Sequence, residues 1–141
     1  TLAALKAARK AGQFCISVVN MPNSSMARES DLVLQTCAGP EIGVASTKAF
    51  TTQLTVLACI ALAIGRDRGH LTPQAIAERM EALKEVPAKI ALLLRDMEPY
   101  QQAAQQLSQA RDLLYMGRGT SYPIAMEGAL KLKEISYIHA E

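Results

Sequence analysis

The chain has 141 residues, half of them apolar, with 15 Lys and Arg against 13 Asp and Glu for a formal charge of +2. That length predicts one domain or two incomplete ones, and the apolar fraction with a mean hydropathy of +0.09 excludes a disordered chain. The weak, spread charge, with no basic run, no aromatic interleaving and no Trp, argues against a nucleic-acid surface.

Cys15, Cys37 and Cys59 form no CxxC pair and no Cys/His cluster. They read as reduced, buried thiols of a cytosolic protein, and no metal site is expected. The longest apolar run, Leu54 to Ile64, is about half of the roughly 20 residues that a spanning helix needs, so no membrane partner is expected either. No signal peptide is visible. A chain that starts without Met on a helical pattern and stops on Glu141 reads as a piece cut from a larger protein.

Taken in order, Thr1 to Ala11 is a predicted helix with Leu2, Leu5 and Ala8 on one face and Gly12 as its stop. Phe14 to Val19 is a short β-branched run typical of a strand buried on both faces. Ser24 or Ser25 then caps a short helix through Glu29, and Asp31 to Thr36 gives a second strand. Helix, strand, helix, strand at this spacing predicts a parallel α/β unit. A turn-rich segment, Cys37 to Thr47, leads into a helix from Lys48 to Ile64. Ser46 and Thr47 suit its amino end, where free N–H groups and the dipole favour an anion, although most such caps hold no ligand.

Gly65 to Gly69 is polar and glycine-flanked, the best boundary between two structural units. Thr72 and Pro73 then open a helix to Glu85, with Ile76, Met80 and Leu83 inward. Pro87 is expected to break it, a second helix covers Ala88 to Arg95, and Pro99 starts a third, Tyr100 to Ala110. Asp112 to Met116 is a strand. Gly117 begins a turn into a last helix, with Thr120 or Ser121 as cap and Pro123 in the first turn. At about 100° per residue, Glu127, Lys131, Glu134, Ile138 and Glu141 fall on one narrow strip of that helix. Its far side, with Ala125, Ala129, Leu132, Ser136 and Ala140, is small or apolar, as in a buried helix. Three charges on the strip of a buried helix point either at a polar cavity or at solvent through a gap in the packing. By pattern alone, Glu127 to Lys131 is an ordinary i,i+4 pair in the favourable order.

The stretch GRGTSYPIAMEGALKLKEISYIHAE, Gly117 to Glu141, resembles the second sugar-isomerase (SIS) domain of the bacterial glutamine–fructose-6-phosphate aminotransferases, and EIGVASTKAFTTQLTVL upstream carries the same resemblance. The resemblance implies an α/β/α sandwich around a parallel sheet, truncated at both ends: residues 1–69 as the later part of a first SIS domain and 70–141 as the opening part of a second. It implies ketose–aldose isomerisation coupled to ammonia capture, giving glucosamine 6-phosphate from fructose 6-phosphate, with no cofactor.

Moving a proton between C1 and C2 of the sugar needs a carboxylate or similar base beside those carbons. Glu134 matches the family's enolising base. Lys131 matches a lysine of the sugar site and can stabilise charge developing on the sugar oxygen, and Glu127 would orient Lys131. Val44, through its backbone, and Ser46 match positions that contact the sugar; Thr47 and Lys48 go to capping and packing. Lys133, His139 and His70 receive no catalytic role. The family's phosphate loop falls before Thr1, and its ring-opening histidine and Schiff-base lysine fall beyond Glu141, so the piece by itself is expected to be inactive. Two readings compete: an SIS deaminase or deglycase acting on amino-sugar phosphates, and a non-catalytic sugar-phosphate-binding SIS module, which has no use for an enolising base. A truncated sheet with uncovered apolar faces is expected to self-associate as a homo-oligomer.

Overall fold

The computed structural model describes residues 1–141. They divide into two compact units, 1–42 with 46–83, and 43–45 with 84–141.

In the first unit, helix α1 (Leu2–Lys10) turns Leu5 inward and ends in Arg9 and Lys10, which suits the negative end of the helix dipole. Strand β1 (Ile16–Val19), helix α2 (Ser25–Arg28) and strand β2 (Leu32–Gln35) follow, and the two strands pair in parallel from Ile16↔Leu32 to Val19↔Gln35. A four-residue helix is too short to hold by propensity. It is held by Ser24, whose side chain accepts the Ala27 N–H at 3.2 Å. Asp31 accepts the Cys15 N–H at 2.8 Å through Oδ2, tying the entrance of β2 to that of β1. Helix α3 (Lys48–Asp67) packs on β1 and buries Ala49. By length and its mean hydropathy of 1.5, α3 meets the composition test for a spanning helix. Its amino-terminal half, however, carries Thr51, Thr52 and Thr55 with hydroxyls bonded back to carbonyls of the preceding turn, and it lies against a sheet.

Helix α4 (Pro73–Leu93) runs from the first unit into the second. Thr72 accepts the Ala75 N–H at 3.2 Å through Oγ1 and so caps its start. The second unit continues with α5 (Glu98–Leu107), β3 (Asp112–Leu113), α6 (Ser121–Ser136) and β4 (His139–Ala140). β3 and β4 pair in parallel, Asp112↔His139 and Leu113↔Ala140, and the small core here is Ala129 with Ala140. Two glycines make this packing possible. A Cβ on Gly117 would lie 2.3 Å from the Ser121 carbonyl oxygen, and one on Gly128 would lie 2.8 Å from Cε1 of Tyr115.

The helices and parallel strands are those of an α/β protein, with several local corrections. Phe14 stays outside β1 and is 72% exposed, and Ile16 is exposed as well, because a two-stranded sheet leaves one face uncovered. Among the cysteines only Cys15 is buried; Cys37 follows β2 in a left-handed turn, and Cys59 lies on an exposed side of α3. Pro87 does not break α4. It removes one backbone donor, but Glu85 and Lys89 form a 2.8 Å ion pair across it and good helix formers follow. α3 continues past Ile64 through Gly65 to Asp67, and the chain reverses at Arg68 and Gly69. The strand expected from Asp112 to Met116 is only two residues long.

The largest correction concerns the end of α6. The helix stops at Ser136, Tyr137 takes a left-handed conformation with φ 58°, and the next residues form β4. Ile138 and Glu141 are therefore not on the helical strip. The cause is a competing set of bonds: His139 donates to the Arg111 carbonyl at 3.2 Å and Glu141 to that of Leu113 at 3.1 Å.

Candidate active site

The face of α6 that its unit buries is set by small side chains. Ala129 is buried, and Ala125, Leu132 and Ser136 are half-buried along the same line. The opposite edge must then carry Glu127, Lys131 and Glu134, three and four residues apart. The Lys131 ammonium donates to Glu134 Oε2 at 2.6 Å and stands 3.3 Å from Glu127 Oε1. Side-chain exposures of 24%, 21% and 32% for Glu127, Lys131 and Glu134 mark a partly covered cluster on an edge that stays open to solvent at Glu134.

One ammonium between two carboxylates is held protonated. The hydrogen bond that Lys131 donates to Glu134, reinforced by Glu127, raises the Lys131 pKa above the usual lysine value against the opposing effect of desolvation. The Glu134 contact uses Oε2, which leaves Oε1 to accept a proton. A fixed cation beside a carboxylate can stabilise an oxyanion formed when that carboxylate removes a proton from carbon.

The other candidate residues lie on the segment between β2 and α3. Ser46 donates its hydroxyl to Glu41 Oε1 at 3.4 Å, and Val44 is 90% exposed, so its side chain is not what fixes it. Thr47 occupies the cap position of α3 without a side-chain bond to the first turn, so the expected hydroxyl cap is not formed there. Lys48 instead bonds through Nζ to the Pro40 carbonyl. Ser46 groups with the first unit and Val44 with the second. The structure thus gathers Glu127, Lys131 and Glu134 into one cluster and joins Ser46 to Glu41.

The SIS domain family matches residues 1–63 and 106–141. The chain belongs to the SIS domain family. Over 141 residues this SIS chain is 58% identical to the glutamine–fructose-6-phosphate aminotransferase [isomerizing] of Zymomonas mobilis and 53% identical to that of Bradyrhizobium diazoefficiens. It spans 23% of the length of each. The C-terminal domain of glucosamine-fructose-6-phosphate aminotransferase from Francisella tularensis matches it with a TM-score of 0.95 at 48% identity, over 100% of this chain and 40% of that one.

Two features of this SIS chain escape a reading of residue pattern. Glu41, the partner of Ser46, lies in a loop where periodicity carries no signal. His139 sits between Asp112, at 2.9 Å from Nδ1, and Glu141, at 3.6 Å from Nε2, on the exposed β3–β4 pair. A helix drawn through His139 hides that contact.

Proposed function

We propose that the chain is part of the isomerase region of a glutamine-dependent aminotransferase that makes glucosamine 6-phosphate from fructose 6-phosphate. The observation that carries this reading is the Lys131–Glu134 contact of 2.6 Å, with one carboxylate oxygen still able to take a proton. In the proposed reaction Glu134 takes the proton from C1 of the sugar and returns it to C2. Lys131 stabilises the oxygen on which negative charge grows, and Glu127 keeps its ammonium in place. Ser46 and the backbone of Val44 contact the sugar. The names of the aminotransferase relatives support this choice over a deaminase, and a non-catalytic binding module gives Glu134 nothing to do. The same reading makes the protein a cytoplasmic homo-oligomer of amino-sugar biosynthesis.

The test is proton chemistry. In deuterated solvent, the full-length aminotransferase should exchange solvent deuterium into the sugar at C1 or C2, and its Glu134→Gln variant should not. Exchange that survives in the variant excludes Glu134 as the base. The 141-residue chain alone, given fructose 6-phosphate and ammonia, should form no glucosamine 6-phosphate; formation of product would overturn the assignment of the missing roles to groups outside it.

A further inference from the structure

Asn20 leaves the end of β1 half-buried and spends its whole amide on the chain that leaves β2. Its Oδ1 accepts the Ala38 N–H at 2.9 Å and the Thr36 hydroxyl at 3.2 Å, and its Nδ2 donates to the Gly39 carbonyl at 2.7 Å. The stretch it holds takes an unfavourable path. Cys37 has φ 53° and Gly39 has φ 71°, two left-handed residues within three positions, and a side chain at the first of them resists that conformation. Beyond the clasp the chain forms a loop closed on itself, with Lys48 bonded to the Pro40 carbonyl and Ser46 to Glu41. Within it Ile42 and Val44 are almost fully exposed, and the half-buried part begins only at Ala45 and Ser46.

From this we infer that Asn20 is a positioning residue for substrate binding: its three bonds fix where the 40–48 loop leaves the sheet, and thereby where Ser46 presents its hydroxyl. The inference rests on the reading of Ser46 as a sugar-phosphate contact. Asn20 itself touches no reacting atom. A side chain that only stabilised the fold would change unfolding and leave kinetic constants alone, whereas one that aims a binding group changes KM more than kcat.

The experiment compares Asn20→Ala, Asn20→Asp and Ser46→Ala in the full-length aminotransferase, by steady-state kinetics with fructose 6-phosphate and by amide hydrogen exchange. Asn20→Ala should raise KM by about tenfold with kcat within about twofold, and should speed exchange at Ala38 while the β1–β2 ladder keeps its protection. Asn20→Asp keeps the two accepted bonds but sets a carboxylate oxygen against the Gly39 carbonyl, so the donated bond becomes a repulsion and KM should rise here as well. If Ser46→Ala raises KM and neither Asn20 variant does, the positioning role is overturned and the reading of Ser46 stands. If Ser46→Ala leaves KM unchanged, the reading of Ser46 fails and the inference with it. Should Asn20→Ala not fold, Asn20→Asp decides alone, an unchanged KM counting against the role.

Discussion

Lys131 and Glu134 meet at 2.6 Å one helical turn apart, and the same ammonium stands 3.3 Å from Glu127, so one cation serves two carboxylates on a single edge of α6. On the proposed roles, Glu134 as base and Lys131 as its cation, removing each should have a different kinetic signature. In the full-length parent, taken as the proposed aminotransferase, Glu134→Gln keeps the shape and a hydrogen-bond acceptor for Lys131 but cannot take a proton. We expect kcat to fall by about 10² to 10⁴ with KM little changed. Lys131→Ala should raise KM and lower kcat together, since the cation serves bound substrate and transition state alike. A near wild-type kcat for Glu134→Gln would falsify the catalytic reading.

The same cluster has a pH signature. The Lys131 pKa in the folded chain lies above the usual 10.5, because the Glu134 hydrogen bond, aided by Glu127, favours the charged form. A raised folded-state value means that the cluster's stabilisation is fully present below pH 10.5 and is lost as pH rises through that raised value. The difference in melting temperature between wild type and Lys131→Met should hold up to about pH 10.5 and shrink only above it, in scans from about pH 8 to pH 12. A constant difference across that range means that the lysine stem, not its charge, stabilises the helix.

Gly117 and Gly128 should respond to alanine to different degrees. At Gly117 the new methyl would lie 2.3 Å from a backbone oxygen of the first turn of α6, which cannot yield without unwinding it. A loss of about 1 to 3 kcal/mol is expected. At Gly128 the obstacle is the Tyr115 ring at 2.8 Å, a half-exposed side chain free to swing away, while alanine gains about 1 kcal/mol of helix propensity. Urea unfolding should find Gly128→Ala within about 1 kcal/mol of wild type. Tyr115→Ala in the Gly128→Ala background should remove the clash and reveal the helix gain.

Self-association is expected from what the fold leaves uncovered. Leu54, Leu57 and Ile64 on α3 and Ile16 on β1 are all at least two-fifths exposed in the isolated chain. Sedimentation at rising protein concentration should show a growing weight-average mass, reduced by Leu57→Lys. A monodisperse monomer at high concentration is the contrary result.

What the sequence determined by itself is what neighbours along the chain decide. Ser24 and Thr72 cap their helices, short apolar-rich runs make β1 and β2, and the spacing of Glu127, Lys131 and Glu134 brings their charges together whatever else the chain does. These are contacts within one turn, where periodicity and local hydrogen bonds suffice. The tertiary structure decided the rest. Residues 137–141 continue the helical pattern, yet Glu141 donates to the Leu113 carbonyl and accepts from the Tyr115 N–H, and those distant backbone groups outbid the helix. Asn20 likewise reads as an ordinary loop residue until Thr36, Ala38 and Gly39 arrive beside it. Each partner lies sixteen or more positions away, in contacts that exist only once the strands have paired.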